Sequence, residues 1–273
     1  MQINCKGKLI DLDSPKIMGI LNMTPDSFFD GGKNNSVEKA LTRTEKMLND
    51  GADFIDVGGV STRPGAKEIS VDEELKRVVP VIENILKRFP ETLISIDTYQ
   101  SATAKKAVES GAAIVNDISA GNLDDNMLKT VAELKVPYIL MHMQGTPKTM
   151  QKNPVYENVT IEVNQFFSEK IRILKEFGIN DIILDPGFGF GKTVEQNYEL
   201  LNNLDLIGFG EFPLLVGVSR KSMVTRLLNV LPENALNGTT VLNTIALQKG
   251  AKILRVHDVK EAKEVIEIHK MLK

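Results

Sequence analysis

Cysteine is nearly absent from this chain: Cys5 is the only one in 273 residues. No intramolecular disulfide can form, so a reducing, cytoplasmic compartment is the simple expectation. Also missing is any apolar stretch of membrane-spanning length, and the opening Met1-Gln2-Ile3-Asn4-Cys5-Lys6 has no apolar signal core. A large excess of either charge is missing as well, with 33 Lys and Arg against 36 Asp and Glu. A net charge of −3 argues against a nucleic-acid or membrane surface as the main partner. No cluster of histidine, cysteine and carboxylate has zinc-ligand spacing. No low-complexity segment or composition break marks a linker, which predicts one domain over residues 1–273.

What is present is an ordinary globular composition, 42% hydrophobic and 25% charged, ample for one core. The informative stretch is Ile182-Ile183-Leu184-Asp185-Pro186-Gly187-Phe188-Gly189-Phe190-Gly191-Lys192. Its apolar run reads as a buried strand that stops at a carboxylate. Pro186 cannot continue a ladder, and the alternating glycines free the backbone for close approach. Thr193 onward, to about Leu204, reads as a helix. Two phosphate motifs are nearly matched and fail: the glycines are spaced G-x-G-x-G, and the residue five before Gly191 is Pro186.

The pattern of apolar run, polar residue, loop and helix recurs. Residues 2–13 alternate around Gly7 and predict a short N-terminal β-hairpin cap. Strands are then predicted at 17–21, 54–57, 93–96, 113–115, 138–141, 182–184, 214–218 and 253–256. Ser36 is the expected N-cap of the first helix, closed by Gly51. Further helices are predicted over about 71–89, up to Ser110, and over 124–134, 159–177, 223–228, 239–249 and 259–272. Alternation of this kind implies a parallel sheet. Eight repeats in this length fit a closed (β/α)₈ TIM barrel, which needs about 250 residues, better than an open doubly wound sheet.

In such a barrel the residues ending the strands converge on one mouth. They are Asn22, the Thr62-Arg63 loop, Asp97, Asn116, His142, Asp185, Lys221, Arg255 and His257. Carboxylates beside amide and ammonium groups suit a flat heterocycle that both donates and accepts. Arg63, Arg255 and His257 suit a phosphate or diphosphate. Phe28, Phe29, Phe190, Pro25 and Pro64 suit loops closing over an apolar ring.

These residues carry a resemblance. Leu21-Asn22-Met23-Thr24-Pro25-Asp26-Ser27-Phe28, Gly58-Gly59 with Ser61-Thr62-Arg63-Pro64-Gly65, Ser95-Ile96-Asp97-Thr98 and Val115-Asn116-Asp117-Ile118 are followed by Met141-His142-Met143-Gln144-Gly145. Asp185-Pro186-Gly187 with Gly189-Phe190-Gly191-Lys192, Gly217 with Ser219-Arg220-Lys221-Ser222, and Arg255-Val256-His257-Asp258-Val259 complete the series. In this order they resemble the signature motifs of the dihydropteroate synthase family of pterin-binding barrels.

The resemblance implies a transferase of folate biosynthesis. It joins 7,8-dihydropterin-6-ylmethyl diphosphate to 4-aminobenzoate, with Mg²⁺, giving 7,8-dihydropteroate and pyrophosphate. It implies that Asp97, Asn116, Asp185 and Lys221 hold the pterin edge, with Met141, Phe190 and Arg255 also in the pterin site. Asn22, Arg63, Arg255 and His257 would handle the diphosphate, Asn22 through the metal. Thr62 and Ser222 would receive the benzoate carboxylate, and Phe28, Pro64, Phe190 and Lys221 would wall that site. Arg63, Lys221, Arg255 and His257 would be catalytic. A homodimer formed by helices late in the barrel, and competition by sulfonamides, follow from the same resemblance. Val60 and Phe29 depart from the family's usual carboxylate or amide and its usual small serine.

Simpler roles stand beside these. Asp97 or Asp185 alone could be a helix cap, and His142 is as readily a structural hydrogen-bonding residue as a ligand contact. Lys192 reads as a solvated lysine at a helix start, and Met141 and Met143 as apolar filler. Two other functions compete: a corrinoid methyltransferase on the same barrel, disfavoured by the Asn22–Phe28 and Ser61–Gly65 loops, and a silent pterin-binding paralogue, disfavoured by the intact cations.

Overall fold

A computed structural model describes residues 1–24, 33–61, 69–150 and 154–272, the side chains of 33–35 excepted. Among these residues β1 (Gln2–Cys5) and β2 (Lys8–Asp11) pair antiparallel as the expected hairpin. Eight parallel strands follow: β3 (Lys16–Asn22), β4 (Phe54–Gly58), β5 (Leu93–Asp97), β6 (Ile114–Asp117), β7 (Tyr138–Met141), β8 (Ile182–Asp185), β9 (Leu215–Val216) and β10 (Ile253–Val256). They pair in the order β8-β7-β6-β5-β4-β3-β10-β9. A parallel bridge between Leu184 and Leu214 joins the two ends, with the Leu184 amide donating to the Pro213 carbonyl at 2.9 Å. The sheet is a TIM barrel.

The helices lie between the strands in sequence: α1 (Lys33–Asn49), α2 (Val71–Arg88), α3 (Ser101–Glu109), α4 (Met127–Leu134), α5 (Val159–Glu176), α6 (Val194–Asn202), α7 (Ser222–Leu228), α8 (Leu236–Gln248) and α9 (Val259–Lys270). Local chemistry explains their ends. Ser70 caps α2 by accepting from the Glu73 amide, and Asp72, Glu73 and Glu74 occupy its first turn. Thr193 and Gln196 form a reciprocal capping box at α6.

Three helix starts differ from expectation by three residues or more, among them α8, which begins at Leu236 rather than at 239. α1 begins at Lys33, so Ser36 lies inside the helix and is not its cap. α4 begins at Met127, because Asp124 is occupied in holding the amides of Ser101, at 2.7 Å, and Asn126, at 3.0 Å.

Two apolar layers divide the chain. Outward-facing strand residues such as Ile17, Ile55, Ile94 and Leu184 pack under the helices. Inward-facing Met18, Phe54, Ile114, Ile139, Ile183, Leu215 and Ile253 fill the floor of the barrel, where Ile3, Cys5 and Leu12 close it from below. Alternation along each strand sets this division. Among the described residues no helix is long and apolar enough to cross a membrane.

Candidate active site

The mouth is built by register. Gly58 aligns with both Asn22 and Asp97, and Asp97 aligns with Asn116, so these four positions form one inward-facing layer at the strand ends. A Cβ added at Gly58 would lie 3.4 Å from Asp97 Cβ and 3.6 Å from Asn22 Oδ1, so glycine there lets the two flanking side chains approach. Met141 aligns with Asp185 on the opposite wall, and both are buried.

Arg255 organises one side. Its Nε donates to Asp56 Oδ2 and its Nη2 to Asp97 Oδ2, both at 2.6 Å. Asn116 Nδ2 donates to the same Asp56 oxygen at 3.1 Å. Burial opposes charge on Arg255, but Asp56 and Asp97 outweigh it and raise its pKa further. The guanidinium is therefore a permanent cation held flat between two carboxylates.

The other side belongs to Lys221. Its ammonium donates to the Phe188 carbonyl at 2.6 Å and lies 4.8 Å from the centre of the Phe190 ring. Burial lowers its pKa to about 8, with Asp185 pulling the other way. Asp185 Oδ1 accepts from the Gly187 amide at 2.8 Å; burial raises its pKa, and Lys221 opposes the rise. Among the described residues Asp97 Oδ1, Asn116 Oδ1 and Asp185 Oδ2 have no hydrogen-bond partner and are three of the open acceptors around the mouth.

His257 is tied to its neighbours. Its Nδ1 lies 3.0 Å from Ser219 Oγ, which also accepts from the His257 amide at 3.2 Å. Burial, then Arg255, Arg43 and Arg220, push its pKa down to about 4. One residue on, Arg220 makes a two-point contact with Asp258 while its own backbone sits at φ +56°. The Ser219–His257 and Arg220–Asp258 contacts clasp the β9 and β10 loops together and hold Lys221 and Arg255 at adjacent positions.

The mouth thus brings together Asn22, Asp97, Asn116, Met141, Asp185, Phe190, Lys221, Arg255 and, at its edge, His257. Ser222 opens α7 beside Lys221 with its side chain half-buried. Phe28, Phe29, Thr62, Arg63 and Pro64 lie outside the described residues. Val60 is half-buried at the end of β4, past Gly59.

Sequence reasoning passed over Asp56. It lies two residues before Gly58 on β4, hence on the same inward face, and is fully buried. A carboxylate at that spacing inside an apolar strand was the available signal. Lys192 is a correction. It is buried, and donates to His142 Nδ1 at 2.9 Å, to the Gly187 carbonyl at 3.0 Å and to the Phe190 carbonyl at 3.1 Å. Helix-start position suggested solvent, but the turn folds its carbonyls inward and the lysine follows them. Asp117 shows the opposite face of the rule: next to Asn116, it points outward to Tyr138 Oη at 2.7 Å and to the amides of Ser119 and Gly121.

A parallel barrel with amide, carboxylate and ammonium groups converging on its mouth is the architecture of the pterin-binding enzymes, and the family model for "Pterin binding enzyme" matches residues 18–257. A dihydropteroate synthase of Escherichia coli (strain K12) is 48% identical over 270 residues, covering 98% of this chain and 95% of that protein. The Yersinia pestis dihydropteroate synthase, solved with a sulfonamide drug complex, superposes with a TM-score of 0.94 at 46% identity, covering 100% of this chain and 99% of that one. The Xanthomonas albilineans enzyme, solved in complex with 7,8-dihydropteroate, gives a TM-score of 0.90 at 36% identity over 100% of this chain and 98% of its own. The chain belongs to the dihydropteroate synthase family of pterin-binding transferases.

Proposed function

We propose that the barrel mouth condenses 7,8-dihydropterin-6-ylmethyl diphosphate with 4-aminobenzoate, with the residues dividing the work as follows. Asp97, Asn116 and Asp185 accept from the pterin's amino group and ring N–H, while Lys221 donates to its ring oxygen and N5. Met141 and Phe190 lie against the ring. The observation that carries this reading is the set of three acceptors without partners facing one buried ammonium. That pattern is complementary to the donor and acceptor edges of a flat pterin.

Arg255, His257 and Asn22, with Arg63, take the diphosphate. His257, neutral near pH 7, donates a hydrogen bond to it rather than a full charge. Thr62 and Ser222 receive the benzoate carboxylate, and Phe28, Pro64, Phe190 and Lys221 wall the arylamine. Arg255 stabilises negative charge growing on the departing diphosphate as the C–O bond breaks. The arylamine nitrogen then bonds the methylene carbon. An electron-rich pterin shares the positive charge, so a strong general base is unnecessary.

Mg²⁺ fits this donor set. Among the described residues no three His, Cys, Asp or Glu side chains gather as a metal cage. Asn22 offers one hard oxygen at the rim, and a diphosphate supplies others, the sharing that Mg²⁺ favours. When bound, the ion would neutralise charge on the leaving group.

The chain pairs as a homodimer through helices late in the barrel. Leu227, Leu228, Leu231 and Val241, each about half exposed or more, form the apolar surface that such pairing would cover. A reducing, cytoplasmic compartment suits its one buried thiol. Sulfonamides compete with 4-aminobenzoate.

Turnover of the diphosphate, 4-aminobenzoate and Mg²⁺, with dihydropteroate and pyrophosphate followed together, tests the reading. Equal yields, lost in Asp185→Asn, support it. A folded wild type that binds pterin and releases neither product overturns it.

A further inference from the structure

Lys192 is a buried amine with no carboxylate in contact: among the described residues it makes no ion pair, its three polar neighbours are all neutral, and burial lowers its pKa to about 7. An ammonium carries three protons and no lone pair. His142 Nδ1 and the carbonyls of Gly187 and Phe190 are three acceptors, so the match is complete when Lys192 is protonated and His142 is neutral with its proton on Nε2. His142 is held in this state, since burial and then Lys192 push its pKa down to about 2. The ring is fixed from its other side by Phe166, edge-on at 4.9 Å.

The two carbonyls bracket Phe188. That residue's side chain is fully buried, and its own carbonyl is the acceptor for Lys221. Phe190, which ends the bracket, supplies the ring beneath the Lys221 ammonium. The turn cannot simply be replaced by a stiffer one. Gly187 has φ +69°, and a Cβ there would come within 1.9 Å of the His142 carbonyl. Its shape must therefore be held by contacts rather than by side-chain bulk. Asn197 holds one amide, that of Gly189, at 2.7 Å, and Tyr156 holds the Gly191 carbonyl at 2.8 Å. Lys192 joins both ends of the segment that meets Lys221, adding to the Phe190 amide, which donates to the Gly187 carbonyl at 3.0 Å.

We propose that Lys192 is a positioning residue for the dihydropterin half of the reaction, pinning the 187–190 turn so that Phe188 and Phe190 hold Lys221 in place; the inference rests on the synthase reading above. Lys192 touches no substrate in this scheme.

A purely structural lysine would lower stability and affect both substrates alike. A positioning lysine splits them. Lys192→Met should raise the KM for the dihydropterin diphosphate at least about tenfold, one decade per 1.4 kcal/mol of lost binding. The KM for 4-aminobenzoate should rise clearly less, by about threefold or under, since Phe190 and Lys221 only wall that site while Thr62 and Ser222 are assigned its carboxylate. Pterin binding without turnover, followed by equilibrium titration, should weaken by the same factor. Lys192→Gln keeps two donors for the carbonyls and should show a smaller split; it replaces the methionine variant if that one does not fold. His142→Phe keeps the stack on Phe166 but removes one acceptor, and should split the two KM values in the same direction. Unchanged pterin binding in folded Lys192→Gln, or equal rises in both KM values, overturns the proposal. Wild type assayed alongside separates the two readings, because an inactive wild type would count against the synthase and not against Lys192.

Discussion

At the floor of the barrel Phe54 meets Met18 and the hairpin residues Ile3, Cys5 and Leu12, apolar surface against apolar surface. Two residues further along the same strand and on the same face, Asp56 takes a guanidinium and an amide. Only about 7 Å of β-strand separates these positions, at roughly 3.3 Å per residue. The floor gains from excluding water and asks nothing of partner geometry. The mouth carries buried charge, which is tolerable only while each group keeps its partner. A lost side chain at the floor should therefore cost stability, whereas one at the mouth should cost turnover as well.

Arg255→Ala should produce the largest effect. Turnover should fall about a thousandfold through loss of the diphosphate donor. Stability should fall by about 3 kcal/mol, because Asp56 and Asp97 lose their shared cation. Urea unfolding and kcat/KM on one preparation check both. A variant with lost activity and wild-type stability would mean that the carboxylates do not depend on the arginine.

Phe54→Ala comes next and should reverse the balance. Emptying a fully buried phenylalanine site should cost about 3–5 kcal/mol, while kcat of the folded enzyme at low temperature should change by less than about twofold. A large drop in kcat with little change in unfolding would show that floor and mouth are mechanically coupled and would break the comparison.

The smallest effects are titrations of opposite sign at the two ends. Burial, with Asp181 adding to it, raises Cys5 from 9.0 to about 12. Folded protein keeps that proton longer than the unfolded chain does. Its contribution is therefore intact below pH 9 and declines as the pH rises towards 12. His257 is depressed from 6.5 to about 4. Its contribution is present above pH 6.5 and declines as the pH falls towards 4. Cys5→Ala should flatten the alkaline limb of the stability profile and His257→Gln should soften the acid limb, each read by urea unfolding across pH. Neither limb changing would mean that both groups are better solvated than their packing indicates.

Much of this was legible beforehand. The strand-ending residues Asn22, Asp97, Asn116, Asp185 and Arg255 do share one mouth, because inward-facing side chains at the ends of parallel strands have nowhere else to point. Motif order along the chain named the family. Lys192 was misread, because a lysine after glycines and before a helix cap is exposed unless the turn folds its carbonyls inward. Asp56 escaped because it sits one layer below the strand ends.

By itself, then, the sequence determined the alternation of strands and helices, the closed parallel barrel and the identity of its rim, all of which follow from period, spacing and order. Tertiary structure alone decided which rim groups are partners. The sharing of Arg255 between Asp56 and Asp97, the clasp of Ser219 with His257, and the triple contact of Lys192 join residues up to 199 positions apart. Such pairings depend on register and on the paths of loops packed against other loops. Local propensity carries no information about them, because the cost of burying a charge is settled only by what finally stands beside it.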